Sequence, residues 1–438
     1  MPALILSGWL FCKQILITTA VNGILPKYDI RLIYPSFKSD LGEVMKRYLV
    51  ISLLLSLPLL FSCQSNSGYG VASANVPINS LYLDPLFSKP PLFEIESEQE
   101  IFMLDDEMIF MVENTLTNAL TTKQKAMKLL KHIFSKEKIA LSYSNNANLT
   151  AREAYHSQKA NCMSLTIMAY ALARKANLQV EFQEIDVPEY WVRNRQYNLL
   201  TGHINLLIKP NAQVNNKIVY GNDNIQIDFD PYVLKQTFPK RTIEKNTVLA
   251  MFYNNKGGQA IVDNDYDVAY QYLKAATQAD RNFSPAWGNL AVLYRLTGNI
   301  TQAEAAYRYA IQINSNNLTA LTNLAILLNS QQNYVEAEEI KSHLLAKRRK
   351  NPYYHAVLAD EAYYNHDYNE ALQHYKRALR LNDKIHELYF GLAKVYYQMN
   401  RLSDARVAMR KALSLNKTKS TEHQYLAKLN FLKAEMTN

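Results

Sequence analysis

The sequence predicts two folded parts in series, an α+β domain and then an all-α solenoid of helical repeats. Three observations lead to this prediction: apolar residues recur at helical spacing from 93 to about 135, strand-like alternation follows between 180 and 230, and small residues then recur every 34 positions. Helices followed by a run of strands are typical of α+β domains. A fixed period of this length is typical of a helical array. The 438 residues are enough for two or three domains.

The composition is that of a globular chain, with 48% hydrophobic and 20% charged residues. A formal charge of +9 fits either nucleic acid or an anionic surface. The export predicted below makes nucleic acid the poorer choice, and we expect no nucleic-acid partner. The sequence contains no Gly-rich phosphate loop and no zinc-type pair of cysteines. We therefore expect no cofactor and no metal.

The segment 45–63 has the pattern of an export signal. It begins with Met-Lys-Arg, continues with an apolar run from Tyr48 to Phe61 and ends at Cys63. A short basic segment followed by an apolar run too short to span a membrane is typical of a secretory signal. The ending, Leu-Leu-Phe-Ser-Cys, resembles the lipobox of bacterial lipoproteins. The resemblance implies that Cys63 is lipidated, and Gln64 after it implies an outer-membrane lipoprotein facing the periplasm.

Residues 1–44 are predicted to be a mis-annotated upstream extension, because a signal peptide should lie at the start of a chain. The alternative is a real membrane segment, Ala3 to Ile24, which Lys13 interrupts. With Met45 as the start, Cys162 is the one cysteine outside the leader. Residues 64–90 are rich in Ser, Asn, Gly and Pro and are predicted to be a flexible tether.

The predicted α+β domain, 91–245, contains one constellation suited to thiol chemistry. Cys162 stands just before a helical run, Met163 to Asn177, where the helix dipole and unpaired backbone N–H groups favour a thiolate. A thiolate nucleophile needs a base and a group that orients the base. His203 opens the second of three predicted strands and Asp228 lies in the third. These strands are 180–185, 203–208 and 225–230, with a loop from 186 to 202.

Three motifs in this order, Asn-Cys-Met-Ser-Leu at 161–165, Gly-His-Ile-Asn at 202–205 and Ile-Gln-Ile-Asp at 225–228, resemble the transglutaminase-like (papain-like) superfamily over roughly 90–240. The resemblance implies that Cys162 is the nucleophile, His203 its proton partner and Asp228 the group that orients the imidazole. The backbone N–H of Cys162, with Gln158, would bind an oxyanion. Asp230 stays open as the alternate to Asp228, since both lie on one face of a strand.

A structural interpretation of Cys162 stays open as well. Cys162 shares one helical face with four apolar residues, and a buried free cysteine behaves as a small apolar residue. Asn205 also departs from the family, many members of which have an aromatic residue there.

The repeat array shows four registers of small or apolar residues with the same interval, the clearest being Ala269, Ala303, Ala337, Ala371 and Ala405. The pattern resembles tetratricopeptide repeats. About five repeats are expected over 250–419, with a capping helix at 420–438. The basic run 347–350 is predicted to be a solvated helix end.

The first helices of the repeats are expected to line a concave groove that binds a protein or peptide partner. The groove residues predicted from the repeat frame are Arg295, Tyr353, Asp360, Tyr363, Tyr364, Phe390, Lys394 and Tyr397.

Two functions follow from these expectations. The first is an envelope lipoprotein that lipid anchors to the membrane. Its Cys-His-Asp domain would form a thioester, which water (in a peptidase or amidase) or an amine (in a transglutaminase) then resolves. The array would bind a protein partner or substrate. The alternative is a catalytically inactive interaction module or scaffold for envelope assembly.

Overall fold

The structure is a computed structural model, and it describes residues 16–19, 77–87, 94–116, 121–134, 142–143, 148–157, 159–194, 197–209, 224–229, 238–416 and 419–435. The predicted signal peptide with Cys63 lies outside these residues, and so do Gln158 and Asp230. None of the helices in the described part combines the length and apolar character needed to cross a bilayer.

Five α-helices lie between residues 98 and 175 in the described part of the chain. They are α1 (Glu98–Ile101), α2 (Asp106–Thr115), α3 (Thr122–Phe134), α4 (Ala151–His156) and α5 (Cys162–Lys175). A polar side chain accepts a hydrogen bond from the N-terminus of α2, α4 and α5, namely Asp105, Thr150 and Asn161. Each such cap stabilises a helix by ~1 kcal/mol and fixes where it begins.

The main sheet is antiparallel. Its strands are β1 (Leu16–Thr19), β4 (Gln179–Asn194), β5 (Tyr197–Lys209), β6 (Ile225–Ile227) and β7 (Lys240–Ile243). The order is β1-β5-β4-β7. Strand β1 pairs with residues 197–200 of β5, and β6 pairs with residues 206–208 of the same strand. A separate parallel pair, β2 (Ser142–Tyr143) and β3 (Lys159–Ala160), lies just before α5.

The hairpin of β4 and β5 differs from the sequence prediction. The loop expected from 186 to 202 is mostly strand, with pairing from Gln179↔Lys209 to Asn194↔Tyr197. A register shift between Ile185 and Tyr190 contains Pro188, at an irregularity that tolerates proline. The loop prediction was wrong because the outer half of the hairpin packs on the helical array, where simple inside-outside alternation does not apply.

The core of the α+β part forms between α5 and the sheet. Cys162, Ile167 and Leu172 of α5 are fully buried, and they belong to one apolar cluster with Phe182 on β4 and Leu206 on β5. An α-helix buried on most of its surface lacks a polar face, which matches its high content of Ala, Leu, Ile and Met.

The second half of the chain is a series of antiparallel helix pairs. The helices are α6 (Lys245–Asp263), α7 (Tyr266–Ala279), α8 (Ser284–Leu296), α9 (Ile300–Ile313), α10 (Leu318–Ser330), α11 (Tyr334–Arg348), α12 (Pro352–Tyr364), α13 (Tyr368–Leu381), α14 (His386–Gln398), α15 (Leu402–Leu415) and α16 (Lys419–Glu435). The five alanines spaced by 34 residues are all fully buried, because a larger side chain would separate the paired helices.

Helix α6 belongs to both parts of the molecule. Its first half, including Val248 and Phe252, packs in the cluster with α5, while Ile261 near its end packs in the array. Lys256, which breaks the apolar pattern of the first repeat, lies 2.8 Å from a carboxylate oxygen of Glu96. The first repeat is therefore degraded in sequence because α6 also contacts the α+β part.

The predicted flexible tether contains ordered structure. Two single turns of 3-10 helix, Ile78–Leu81 and Asp84–Phe87, lie against the array, with Leu81 and Phe87 buried. The hydroxyl of Tyr270 donates to Asp84 at 2.7 Å and that of Tyr294 to the Leu81 carbonyl at 2.6 Å. Residues 77–87 are thus bound to the repeats, so the expectation of a flexible tether does not hold there.

Candidate functional site

Helix α5 places Cys162 at its first position. Asn161, in extended conformation, accepts a hydrogen bond from the backbone N–H of Ser164 at 2.8 Å and so fixes the helix start. The thiol is fully buried. Cys162 therefore lies at the positive end of the α5 dipole, as the sequence predicts, within a water-poor environment.

Strand geometry places the other two predicted residues together. His203 and Asn205 are two apart on β5 and lie on one face of the sheet. Strand β6 pairs with β5 through Leu206↔Ile227, so the residue after Ile227, Asp228, emerges beside them. Asp228 follows the end of the strand instead of lying within it, because β6 ends at Ile227.

His203 and Asp228 form a buried pair. The Nε2 atom of His203 lies 2.9 Å from each carboxylate oxygen of Asp228. Both side chains are wholly buried. Because Nε2 bonds the carboxylate, Nδ1 is the ring nitrogen left for other chemistry. The alternate carboxylate, Asp230, lies outside the described residues. The preference for Asp228 over Asp230 as the group that orients the imidazole therefore stays a prediction.

Asn205 is a site residue that sequence reasoning missed. Its side-chain amide donates to Asp228 Oδ2 at 2.9 Å, and the Asn205 side chain is buried. Gln226 donates to the same oxygen at 3.5 Å. The period of two on β5 was the available signal, since any residue two after His203 shares its face.

The pKa of His203 reflects both neighbours. Burial lowers this pKa, but the hydrogen bond to Asp228 and the interaction with the nearby Cys162 thiol, together with their charges, outweigh burial and raise it to about 10. Nδ1 makes no well-aligned hydrogen bond within the described residues. These two observations describe a thiol close to the ring but outside ideal hydrogen-bond geometry, which is common where no substrate is bound.

The three groups together have the parts of a thiolate–imidazolium pair. An imidazolium favours ionisation of a nearby thiol, and a buried carboxylate that binds the other ring nitrogen keeps the proton on the ring. Because Cys162 and His203 are fully buried, a substrate reaches the sulfur only if neighbouring segments move. Within the described residues no group of His, Cys, Asp and Glu is suited to hold a metal ion.

Seven of the eight predicted groove residues lie on α12 and α14, and Arg295 lies on α8. Asp360 accepts hydrogen bonds from Tyr375 at 2.7 Å and Lys394 at 3.2 Å, and the Lys394 ammonium lies 5.1 Å from the Tyr363 ring centre. Phe390 and Tyr353 belong to the apolar cluster formed by helices α12 to α16. Tyr364 is 53% exposed, whereas Tyr397 contacts Phe431 of α16. Arg295 lies apart on α8, beside Tyr307.

Arg348 corrects one expectation from the sequence. The basic run 347–350 was predicted to be solvated, but the Arg348 side chain is only 6% exposed. Its guanidinium donates to both carboxylate oxygens of Glu189, at 2.7 and 2.8 Å, and lies 5.0 Å from the Trp191 ring centre. The prediction was wrong for Arg348, because its partner on the β4–β5 hairpin is 159 residues away in sequence. Lys347, Arg349 and Lys350 are exposed, as predicted.

Comparisons with known proteins bear on the array. The family model described as tetratricopeptide repeat matches residues 260–307, 295–361 and 362–429. A search of curated proteins finds no match to this chain.

Solved structures resemble part of the chain. The APC/C hetero-tetramer Cut9-Hcn1 is 20% identical over 43% of this chain and 37% of that chain, with a TM-score of 0.27. Pseudomonas aeruginosa pilF is 17% identical over 44% and 90%, with a TM-score of 0.29. A tetratricopeptide repeat protein from Parabacteroides merdae is 19% identical over 42% and 73%, with a TM-score of 0.27. The chain thus spans little more than a third of the first of these structures. Residues 260–429 of this chain are tetratricopeptide repeats.

Proposed function

We propose that this protein performs thiol-dependent acyl chemistry, with Cys162 as nucleophile, in a transglutaminase-like domain attached to a partner-binding array. The observation that carries the proposal is the buried His203–Asp228 pair, 2.9 Å apart, whose imidazole also interacts with the Cys162 thiol at the start of α5. A purely structural cysteine does not need an imidazole held by a carboxylate next to it.

In the proposed reaction, the Cys162 thiolate attacks the carbonyl carbon of an amide or ester. His203 gives its Nδ1 proton to the leaving group, and a thioester remains on the sulfur. Water or an amine then attacks the thioester, with His203 taking a proton back. Asp228 holds the imidazole throughout by its hydrogen bond to Nε2. Asn205 in turn holds the Asp228 carboxylate by donating a hydrogen bond to it.

The repeats support a second activity, the binding of a protein or peptide partner. Within the described residues, Tyr363, Tyr364 and Lys394 form a polar and aromatic surface on adjacent repeats. Such side chains suit a peptide. We also propose an envelope location for the protein. Lipid on Cys63 would place the array and the thiol domain at the outer membrane.

The competing function is an inactive module that keeps the fold and uses only the array. Full burial of Cys162 favours this candidate, because a working nucleophile has to reach its substrate. The two candidates differ in what they predict for the thiol.

The deciding experiment measures the rate of iodoacetamide labelling of Cys162 against pH in the native protein and in His203→Ala. The proposed enzyme should label with a pKa well below the ordinary ~8.5 of a cysteine, and the variant should return to the ordinary value. An ordinary pKa in the native protein, or labelling only after unfolding, would contradict the enzyme and leave the inactive module.

A further inference from the structure

The two halves of the candidate site are on separate elements, and the array contacts each of them. Cys162 begins α5, whereas His203 lies on β5. The distance between thiol and ring therefore depends on how α5 and the β4–β5 hairpin are held. Each is held by a polar contact with a helix of the second half of the chain.

On the thiol side, the contact goes through the cap of α5. The Nδ2 atom of Asn161 donates to Asn148 Oδ1 at 2.8 Å. The same oxygen accepts from Nδ2 of Asn255, on α6, at 3.4 Å. The Asn255 amide also lies 3.7 Å from the sulfur of Met163, the residue after Cys162. Asn148, Asn161 and Asn255 are all buried.

Burial makes this cap network sensitive to the loss of one member. A buried amide left without its partner costs about 1–3 kcal/mol, so the network holds its geometry. Ser164 strengthens the same network, since its hydroxyl donates to Asn161 Oδ1 at 2.9 Å and accepts from the Leu149 N–H at 2.9 Å. The adjacent Asn254 accepts from Asn289 of α8 at 2.9 Å, which fixes α6 to the next repeat.

On the imidazole side, the contact is made at the irregularity of the hairpin. The register runs Ile185↔His203 and then Tyr190↔Thr201, so residues 186–189 of β4 lie opposite Gly202 alone. The bulge begins directly after Ile185, which pairs with His203, and Glu189 is its last residue. Arg348 at the end of α11 binds both Glu189 carboxylate oxygens, and Asn351 donates to the Glu189 carbonyl at 2.9 Å.

Arg348 is itself fixed within the array. Its second terminal nitrogen donates to the Thr322 hydroxyl of α10 at 2.8 Å. A bidentate pair of this kind defines both position and orientation. The bulge next to His203 is therefore attached to α10 and α11 through one buried guanidinium.

We propose that the tetratricopeptide array positions both halves of the thiol site, with Asn255 holding the start of α5 and Arg348 holding the bulge beside His203. This inference rests on the proposed function, in which the Cys162 thiolate and the His203 ring form a pair. Asn255 and Arg348 are positioning residues, since neither touches the reacting atoms. Catalytic groups need placement within about 0.5 Å, which single loops do not provide.

The test uses the full chain and the pH profile of iodoacetamide labelling at Cys162. Arg348→Met keeps an unbranched apolar stem and removes the guanidinium donors, and Asn255→Leu removes the amide with little change in volume. Each should shift the labelling pKa upward by about one unit or more, which slows labelling about tenfold at mildly acid pH. Asn255→Ser is the milder variant if Asn255→Leu does not fold.

Two matched controls separate positioning from stability. Arg308 binds both carboxylate oxygens of Glu336, at 2.7 and 2.9 Å, entirely within the array, so Arg308→Met removes a comparable pair. Tyr425→Phe removes a buried hydrogen bond to Nδ1 of His386, at 2.8 Å, which joins α14 to α16 and does not reach the cap. Both should lower the melting temperature and leave the labelling profile unchanged.

The possible outcomes distinguish the inference from the proposed function. A native profile with a depressed pKa that both Arg348→Met and Asn255→Leu retain would overturn the inference alone. A shift in the two controls as large as in the test variants would also overturn it, because general destabilisation would then explain the effect. An ordinary pKa in the native protein would overturn the proposed function and the positioning of that site together.

Discussion

Nε2 of His203 lies 2.9 Å from both carboxylate oxygens of Asp228, and this contact leaves Nδ1 as the ring nitrogen available to the thiol. A carboxylate on Nε2 keeps a proton there and leaves Nδ1 to exchange a proton with sulfur. The pair is wholly buried, so water does not screen it. Four predictions follow from this contact and from the array around it.

Asp228→Asn should lower the pKa of His203, because the neutral amide removes the charge that favours imidazolium. The expected fall is about 1–3 units, the usual effect of one close carboxylate. Titration of the ring by NMR measures it directly. Asp360→Asn, which removes a carboxylate that binds Lys394 and Tyr375 instead, is the control and should leave His203 unchanged.

Stability should depend on pH through His203. Its pKa in the folded protein is about 10 against an ordinary 6.5, so its contribution is complete below about pH 6.5 and is lost as the pH rises through about 10. The difference in free energy of unfolding between the native protein and His203→Gln should therefore shrink over that interval. Urea denaturation at several pH values measures it, and a difference that does not change with pH would contradict the raised pKa.

Gly391→Ala should destabilise the array. A Cβ at this position would stand 2.2 Å from the ring of Tyr375, a side chain that is 2% exposed and bonded to Asp360. Overpacking of this kind costs about 1–3 kcal/mol. In thermal unfolding the double variant Gly391→Ala with Tyr375→Leu should lose less than the sum of the two single changes. Additive losses would show that the clash is not the cause.

Tyr364→Ser with Tyr397→Ser should weaken binding of an array partner without changing the labelling profile of Cys162. Tyr364 is 53% exposed, which makes it available to a ligand. Tyr334, 56% exposed on α11, gives a matched control outside the predicted groove. Pull-down of one identified partner by the native protein, the double variant and Tyr334→Ser compares them. Equal capture by all three proteins would show that Tyr364 and Tyr397 do not bind the partner.

The sequence was most informative where a pattern is local or periodic. The interval of 34 residues between Ala269 and Ala303 predicts the array, and the helical run from Met163 to Asn177 predicts α5. Alternation on β5 and β6 also places His203 near Asp228, because adjacent antiparallel strands bring their residues side by side.

Contacts between the two halves of the chain were not predictable in this way. Arg348 was predicted to be solvated because its partner, Glu189, is 159 residues away in sequence. The outer hairpin was predicted to be a loop although its two strands pair with each other, because its packing on the array is not visible in the local pattern. Asn205 was noted only as a departure from a family pattern, although its amide binds the Asp228 carboxylate. Each of these depends on tertiary packing, which local propensity does not encode.

The ultraviolet absorbance of the Cys162 thiolate against pH, with Cys162→Ser subtracted as the background, shows directly whether the thiolate–imidazolium pair exists. The native protein should already contain thiolate at neutral pH, and His203→Gln should remove it. A native titration that coincides with an ordinary cysteine, unchanged by His203→Gln, would contradict the thiolate–imidazolium pair and with it the proposed enzyme.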